Sequence, residues 1–480
     1  MTKEFNYIYI INLKGGVRGL SKEQIKKEGK NIFDIMTGVA IILLIKDGSN
    51  KHYIKYHDIG DALTKKEKLD ILKNTEVSTL KFNNLSIDSF GDWLNHRDPH
   101  YYEYVSLNNK DRNSLVNERL IGFNTNRDAW TFNFSKDGLI KNINRMINNY
   151  NDEVDRLYDD PKPLEHINLK TNFISWSAGL KRKIKKREKI KFNKDAIIPT
   201  LARPFTKKFV YYDSDLVERP GRFKQLIKNN DQVIFMPGIG GSRGYSCLIA
   251  KGPVNLHCMG FASSTQVFPL YLRQEGLFEN TKILNINNVN AQKLDLKSNQ
   301  VFPYIYCLLN DSEFIAKYKD ELQKDYPRIP KVKFKDRYVN IGQKLMNLHL
   351  NYEDVSTYDE VDIRYSGTPD YKVKRMKFPK KRNNEGKKVD DKSTIVFNDS
   401  ITISNIPEKA YKYIINGKSA IEWIMDQYRI NPDKKSGITD DPNEYSDDPK
   451  YIFNLLLRII NVSVQTVDLI NQLPPLEIEE

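Results

Sequence analysis

Cysteine is scarce. Cys247, Cys258 and Cys307 are the three that the 480 positions hold, and no two form a CxxC pair. Such spacing gives no disulfide framework and fits a reducing cytoplasm. Long hydrophobic runs are missing too. The most apolar one, VAIILLI at residues 39–45, is too short to span a bilayer and is rich in β-branched residues, so it reads as a buried strand. The opening MTKEFNYIYIINLKG lacks the apolar core and small-residue cleavage site of a signal peptide. No membrane partner is expected. No stretch recurs at a period of about 20–50 residues, which excludes a solenoid.

Several chemical signatures are absent as well. The seven histidines are scattered, with no HExxH or equivalent metal spacing. His96, Asp98 and His100 can be drawn as a cluster, but Pro99 between them reads as a turn. No GxSxG elbow occurs. The turn PGIGGSRG at residues 237–244 follows an apolar strand and can offer backbone N–H groups to a phosphate. No Gly-Lys-Ser/Thr follows it, and no acidic residue lies about 20 positions on to take a ribose hydroxyl. Asp370 with Glu385 and Lys387 can be drawn as a paired-carboxylate nuclease, yet RNNEG around Glu385 reads as a turn, not the rigid strand such a site needs. The single Pro-Pro, LPPL at residues 473–476, lacks the polar head and the aromatic of an adenine-N6 methyltransferase tetrapeptide. No catalytic residue, cofactor-binding residue or metal ligand is assigned.

What is present is positive charge. A net charge of +14, with 39% hydrophobic and 29% charged residues, describes a soluble globular protein that favours a polyanionic partner. The other reading is compositional: AT-rich coding over-uses Lys and Asn, which would supply some of that charge. Aromatic residues are interleaved with basic ones in three stretches. GFNTNRDAWTFNFS at residues 122–135 sets a polar cluster before an aromatic alternation, and residues 130–134 have the period of a half-buried strand. SWSAGLK at 175–181 and RPFTKKFVYYD at 203–213 repeat the recipe. Together they read as faces of one polyanion-binding surface; each alone reads first as a strand facing a core or a turn. The run KRKIKKREKIKFNK at residues 181–194 fits a solvated helix or linker as well as a nucleic-acid contact.

Periodicity predicts strands at residues 7–13, 36–45 and 53–56, then a helix over 63–74 capped by Asp61, with Leu69, Ile71 and Leu72 inward. Leu139, Ile143, Met146, Ile147 and Tyr150 predict a core-facing helix over 139–154. Strands follow at 209–212, 232–236 and 246–249, and helices at 301–309 and 314–326. A small hairpin is expected on an outer rim within 354–392. A strand–turn–strand at 393–404 and helices at 420–428 and 451–472 close the chain.

In order, these segments resemble one family. YIYIINLKGG (7–16), KKEGKNIFDIMTGVAIILLIK (26–46) and IKYHDIGD (54–61) resemble the last strands of the N6-adenine methyltransferase core of type ISP restriction-modification enzymes. GDWLNHRD (91–98), TNRDAWTFNFS (125–135), ISWSAGLK (174–181) and RPFTKKFVYYD (203–213) resemble the start of their C-terminal specificity domain. FPLYL (268–272), residues 304–330, GQKLMNLHLNYE (342–353) and NGKSAIEWIMDQY (416–428) resemble its remainder. The resemblance implies an α/β fold of mixed α+β kind. Residues 1–62 would be the remnant of a Rossmann-like methyltransferase sheet, 63–392 the target-recognition domain, and 393–480 a closing strand pair and helices. It implies sequence-specific recognition of double-stranded DNA in phage defence. The methyltransferase and helicase-nuclease half, which binds S-adenosylmethionine, would be supplied by another part of the system. No enzyme activity is expected of this chain alone; the other reading is a complete adenine methyltransferase or nuclease with an unrecognised site. Asn126 and Arg127 are the base-reading candidates, because Asn pairs with adenine and Arg with guanine. Lys181, Arg182, Arg203, Lys207, Lys208, Arg222 and Arg243 are candidates for phosphate or base contact. Each also fits a structural role, Arg127–Asp128 as a turn pair and Arg203 as a strand end before Pro204.

Overall fold

The structure is a computed structural model that describes the whole chain except residues 18–19, 21, 109–113, 228–229, 241–243, 261–262, 275–280, 385 and 480. It is mixed α+β and divides into two compact units. The first holds Met1–Tyr104, Ile239–Tyr245 and Ala316–Arg328; the second holds Val105–Gly238, Ser246–Ile315 and Ile329–Glu480.

The first unit is built on a four-stranded sheet in the order Val39–Ile45, Tyr7–Lys14, Tyr53–Asp58, Asn83–Leu85. Tyr7–Lys14 runs antiparallel to Val39–Ile45, with Ile8 opposite Leu44, and parallel to Tyr53–Asp58, with Ile8 opposite Ile54. Ile8, Ile11 and Leu13 point into the unit's core. Val39–Ile45 is a strand as expected, but it is not buried. Its side chains from Ile41 to Ile45 are 37–48% exposed, because it is an edge strand. The following helix, Lys65–Asn74, is capped by Thr64, whose hydroxyl accepts from Glu67 N while the Glu67 carboxylate accepts from Thr64 N at 2.7 Å. That capping box displaces the expected cap Asp61, which pairs instead with Lys14 at 2.5 Å. Ile71 and Leu72 pack on the unit's core as expected, and the fully buried residue of this helix is Lys68. Its ammonium donates to the carbonyls of Leu13 and Glu28 at 2.7 and 2.8 Å, and Leu69 faces outward. The expected helix over 314–326 is two short ones, Ser312–Lys317 and Lys319–Lys324. They break at Tyr318, whose ring packs on Tyr101 and whose hydroxyl meets that of Tyr104 at 3.1 Å.

In the second unit Leu248–Lys251, Gln232–Pro237, Thr265–Pro269 and Leu120–Ile121 form an antiparallel sheet in that order. A second sheet has Thr206–Tyr211 between Phe132–Asn133 and Ile197–Arg203. One hydrophobic core joins Phe123, Phe235 and Val267 of this region to Trp423, Leu455 and Ile459 near the C-terminus. The helix Tyr451–Asn471 is long and apolar enough to cross a membrane by length and composition, but most of it is buried in that core. Helices Ser298–Leu308 and Lys335–Leu350 approach closely at Gly342, where a Cβ would lie 1.9 Å from the Pro303 carbonyl oxygen. A second core gathers Leu139, Ile143, Met146, Ile147 and Tyr150 of the helix Lys136–Arg156 around Trp130. Ser135 starts that helix by accepting from Gly138 N at 3.1 Å.

Candidate nucleic-acid interface

The three aromatic–basic stretches converge within the second unit. Phe132–Asn133 pairs antiparallel with Phe209 and Val210. Phe123 stacks on Phe132 and packs edge-on against Tyr212. The expected strand over residues 130–134 is shorter than its alternation indicates. Asp128–Thr131 is one helical turn, followed by the two-residue strand Phe132–Asn133. Trp130, Thr131, Phe132, Asn133 and Phe134 are all buried. The segment runs between two cores, with Trp130 in one and Phe132 and Phe134 in the other. Asn126 turns the chain into this stretch with a φ of 58°, a left-handed conformation that Asn tolerates better than most residues.

The candidate side chains divide by what they touch. Arg127 is 3% exposed, with its guanidinium turned inward. It donates to the Leu216 carbonyl at 3.0 Å and to the Ser177 hydroxyl, and its Nε has no hydrogen-bond partner among the described residues. Burial brings this guanidinium down to about 10. The expectation of a base-reading Arg127 runs against that burial. Lys207 pairs with Glu353 and lies over the Tyr352 ring; Lys208 pairs with Asp440 and lies over Phe134. Arg203 is half-buried, donates to the Ala202 carbonyl at 2.6 Å, and is lowered by burial. With Lys208, Asp128, Asp433 and Asp440 it lines a cavity of about 400 Å³. Arg222 pairs with Glu118 at 3.1 Å. Arg243 lies outside the described residues.

Asn126, Lys181 and Arg182 are exposed. Asn126 accepts from Asn124 Nδ2 at 3.1 Å and its backbone N–H donates to Asn124 Oδ1 at 2.9 Å. That lock fixes the side chain at the tip of the turn. Lys181 and Arg182 stand on the helix Ala178–Lys185, which starts at Ser177, whose hydroxyl accepts from Leu180 N at 3.3 Å. Leu180 and Ile184 face the core, which turns Lys181 and Arg182 to water, while Lys183 is half-buried and pairs with Asp215 at 2.9 Å. Neither Lys181 nor Arg182 has an ion-pair partner among the described residues. The N-terminus of this helix is already filled by an anion, since Gly179 N donates to both Glu218 carboxylate oxygens at 3.1 Å. A phosphate would therefore meet the cationic flank of the helix rather than its start.

The enzyme-like constellations take other roles. Asp98 accepts from His100 N at 3.0 Å, and His96 contacts the Ser86 carbonyl. No group of three His, Cys, Asp or Glu side chains that could hold a metal occurs among the described residues. Asp370 accepts from Lys372 N, Lys387 stands in a hairpin turn, and Glu385 lies outside the described residues. Asp231, ahead of the glycine-rich turn, is held by Arg273 at 3.2 Å and Lys282 at 3.3 Å, which leaves it a poor acceptor for a ribose hydroxyl.

Residues 114–455 match the family described as Type ISP C-terminal specificity domain. No curated protein matches the chain. Among solved structures, a nuclease-deletion mutant of the Type ISP restriction-modification enzyme LlaGI, in complex with a DNA substrate mimic, is similar with a TM-score of 0.89 and 42% identity. That match covers 100% of this chain and 44% of the other. The ATP-dependent Type ISP enzyme LlaBIII bound to DNA gives a TM-score of 0.89 and 39% identity, over 100% of this chain and 31% of that one. A DrdV–DNA complex shares the fold, with a TM-score of 0.84 at 23% identity over 99% of this chain and 48% of that one. The chain thus spans less than half the length of each of these relatives.

Proposed function

We propose, since this chain belongs to the family of type ISP C-terminal specificity domains, that it grips and inspects double-stranded DNA as the recognition part of a cytoplasmic type ISP restriction-modification system for phage defence. The observation that carries this reading is identity of 42% along the entire chain to a relative solved on a DNA substrate mimic. Lys181 and Arg182 are the side chains best placed to take phosphates, and phosphate contacts set the register in which base edges are read. Asn126, exposed and locked at the tip of its turn, is the candidate reader of adenine. Residues 63–392 carry recognition on this reading, and 393–480 close the unit.

The methyltransferase, translocase and nuclease portions would be partners. Residues 1–62 fit the last strands of a methyltransferase-like sheet, and the exposed edge Val39–Ile45 is a surface on which the remainder of that portion can dock. S-adenosylmethionine would be bound by the partner portion; the pairing of Asp231 with Arg273 and Lys282 argues against this chain's glycine turn as its seat. The test is duplex binding by the purified chain across a salt series. A linear fall of log affinity with log salt is expected. Binding that is absent, or insensitive to salt, with and without the partner portion, would reject the reading.

A further inference from the structure

Residues 372–388 hold nine Lys or Arg against one Glu, and all nine cations are exposed. Their chain is firmly anchored. Val373 and Met376 are buried, and Lys377 exchanges backbone hydrogen bonds of 3.0 and 2.9 Å with Val396. From that anchor a two-stranded ribbon projects, Lys380–Arg382 antiparallel to Lys388–Asp390. Its turn is pinned by Asn383, which accepts from Gly386 N and donates to the Lys387 carbonyl, both at 2.9 Å, with Gly386 at a φ of 72°.

Charge is balanced at the base of the ribbon and unbalanced toward its tip. Lys380 pairs with Asp390 at 2.6 Å and Lys381 with Asp391 at 2.9 Å. One step outward the register sets Arg382 directly opposite Lys388. Directly opposed residues share a face, and like charges there destabilise a strand pair. Arg382 donates only to the Gly386 carbonyl at 3.0 Å, and neither it nor Lys388 has a carboxylate partner among the described residues. Folding alone gains nothing from this repulsion, whereas an anion between the two cations would relieve it. The ribbon carries no aromatic side chain of the kind that anchors protein partners. Two strands about 5 Å apart fit the major groove of B-DNA, which is about 12 Å wide.

We propose that this ribbon is a second duplex-DNA contact, distinct from the Ala178–Lys185 helix, in which Arg382 and Lys388 take backbone phosphates from within the major groove. The inference rests on the DNA-recognition reading above and adds the element and the mode of contact.

The test compares the full chain with the variant Arg382→Gln/Lys388→Gln on duplex DNA across a salt series. The variant should bind about tenfold more weakly or worse at low salt, with the slope of log affinity against log salt shallower by about 1.8, near 0.9 per phosphate. Its thermal midpoint without DNA should be equal or higher, since a repulsion is removed. The charge-retaining exchange Arg382→Lys/Lys388→Arg should restore binding. Lys3→Gln/Lys344→Gln removes the same net charge elsewhere; an equal loss there would assign the effect to global charge and overturn the proposal. Unchanged affinity and slope in Arg382→Gln/Lys388→Gln, with the parent chain binding normally, would overturn the ribbon contact and leave DNA recognition standing. Loss of binding to the partner portion alone would also overturn it, by making the ribbon a protein contact. A parent chain that ignores duplex DNA would sink both readings together.

Discussion

The guanidinium of Arg127 donates to the Ser177 hydroxyl, and this contact ties the first aromatic–basic stretch to the second. The same hydroxyl accepts from Leu180 N and so also starts the helix that presents Lys181 and Arg182. Arg127 thus supports from beneath the helix that carries Lys181 and Arg182. Arg127→Met should leave the Leu216 carbonyl without its side-chain donor and Ser177 with Leu180 N alone, and destabilise the second unit by about 2–4 kcal/mol. Ser177→Ala, which loses a cap and a charge-assisted bond, should cost about 1–3 kcal/mol. The double variant should cost less than the sum. Denaturant titration measures all three, and additive effects would separate the two residues.

The exposed Lys181 and Arg182, with no ion-pair partner among the described residues, predict the opposite pattern. Lys181→Gln/Arg182→Gln should leave stability within about 0.5 kcal/mol while the salt slope of duplex binding becomes shallower by about 1.8. Asn126→Gly keeps the left-handed turn available and removes only the amide. It should hold stability and change discrimination at one base pair by about 1–3 kcal/mol. A uniform loss across all sequences would instead make Asn126 a positioning residue.

The long helix was legible because Leu139, Ile143, Met146, Ile147 and Tyr150 fall on one face, and all five are buried, with Glu153 and Val154 beyond them. The alternation at residues 130–134 misled because period two assumes one wet face, and here a core lies on each side. Lys68 was illegible for a related reason. Its burial is explained by two carbonyls from distant segments, Leu13 and Glu28, which no local pattern contains. The basic candidates failed to sort themselves in the sequence because their carboxylates are remote. Lys207 finds Glu353 and Lys208 finds Asp440, 146 and 232 positions away. Lys181 and Arg182 read the same as these two in composition, and only the fold separates paired cations from free ones.

The edge strand Val39–Ile45 predicts self-association. Among the described residues it pairs with a strand on one side only, and its apolar side chains are 37–48% exposed from Ile41 to Ile45, which is the profile of a strand that recruits another. The isolated chain should show concentration-dependent sedimentation. Ile42→Lys/Leu44→Lys should reduce it with little loss of stability, because both side chains already face solvent. Association that persists in the variant would locate the contact elsewhere.

His349 predicts an acid response of the second unit. It is buried at the edge of a cavity of about 330 Å³, and burial lowers it from 6.5 to about 3. Its tautomer follows from its neighbours. Thr466 donates its hydroxyl hydrogen to the Val462 carbonyl at 2.7 Å, so at 2.8 Å it can only accept from His349 Nε2–H. Nδ1 is then the acceptor for the Tyr306 hydroxyl at 2.5 Å. Protonation would convert Nδ1 to a donor and break that arrangement. Because the folded value lies below the unfolded one, the unfolded chain binds the extra proton first. The contribution of neutral His349 is therefore intact above about pH 6.5 and is lost as pH falls toward about 3, by at most about 1.4 kcal/mol per pH unit. His349→Gln keeps a donor and an acceptor but cannot titrate. Between pH 7 and pH 5 the parent chain should lose about 2 kcal/mol more stability than this variant, measured by denaturant midpoints in matched buffers. Parallel pH profiles would mean that His349 takes up its proton at the same pH folded and unfolded, so that the Tyr306–Thr466 pair does not hold the ring neutral.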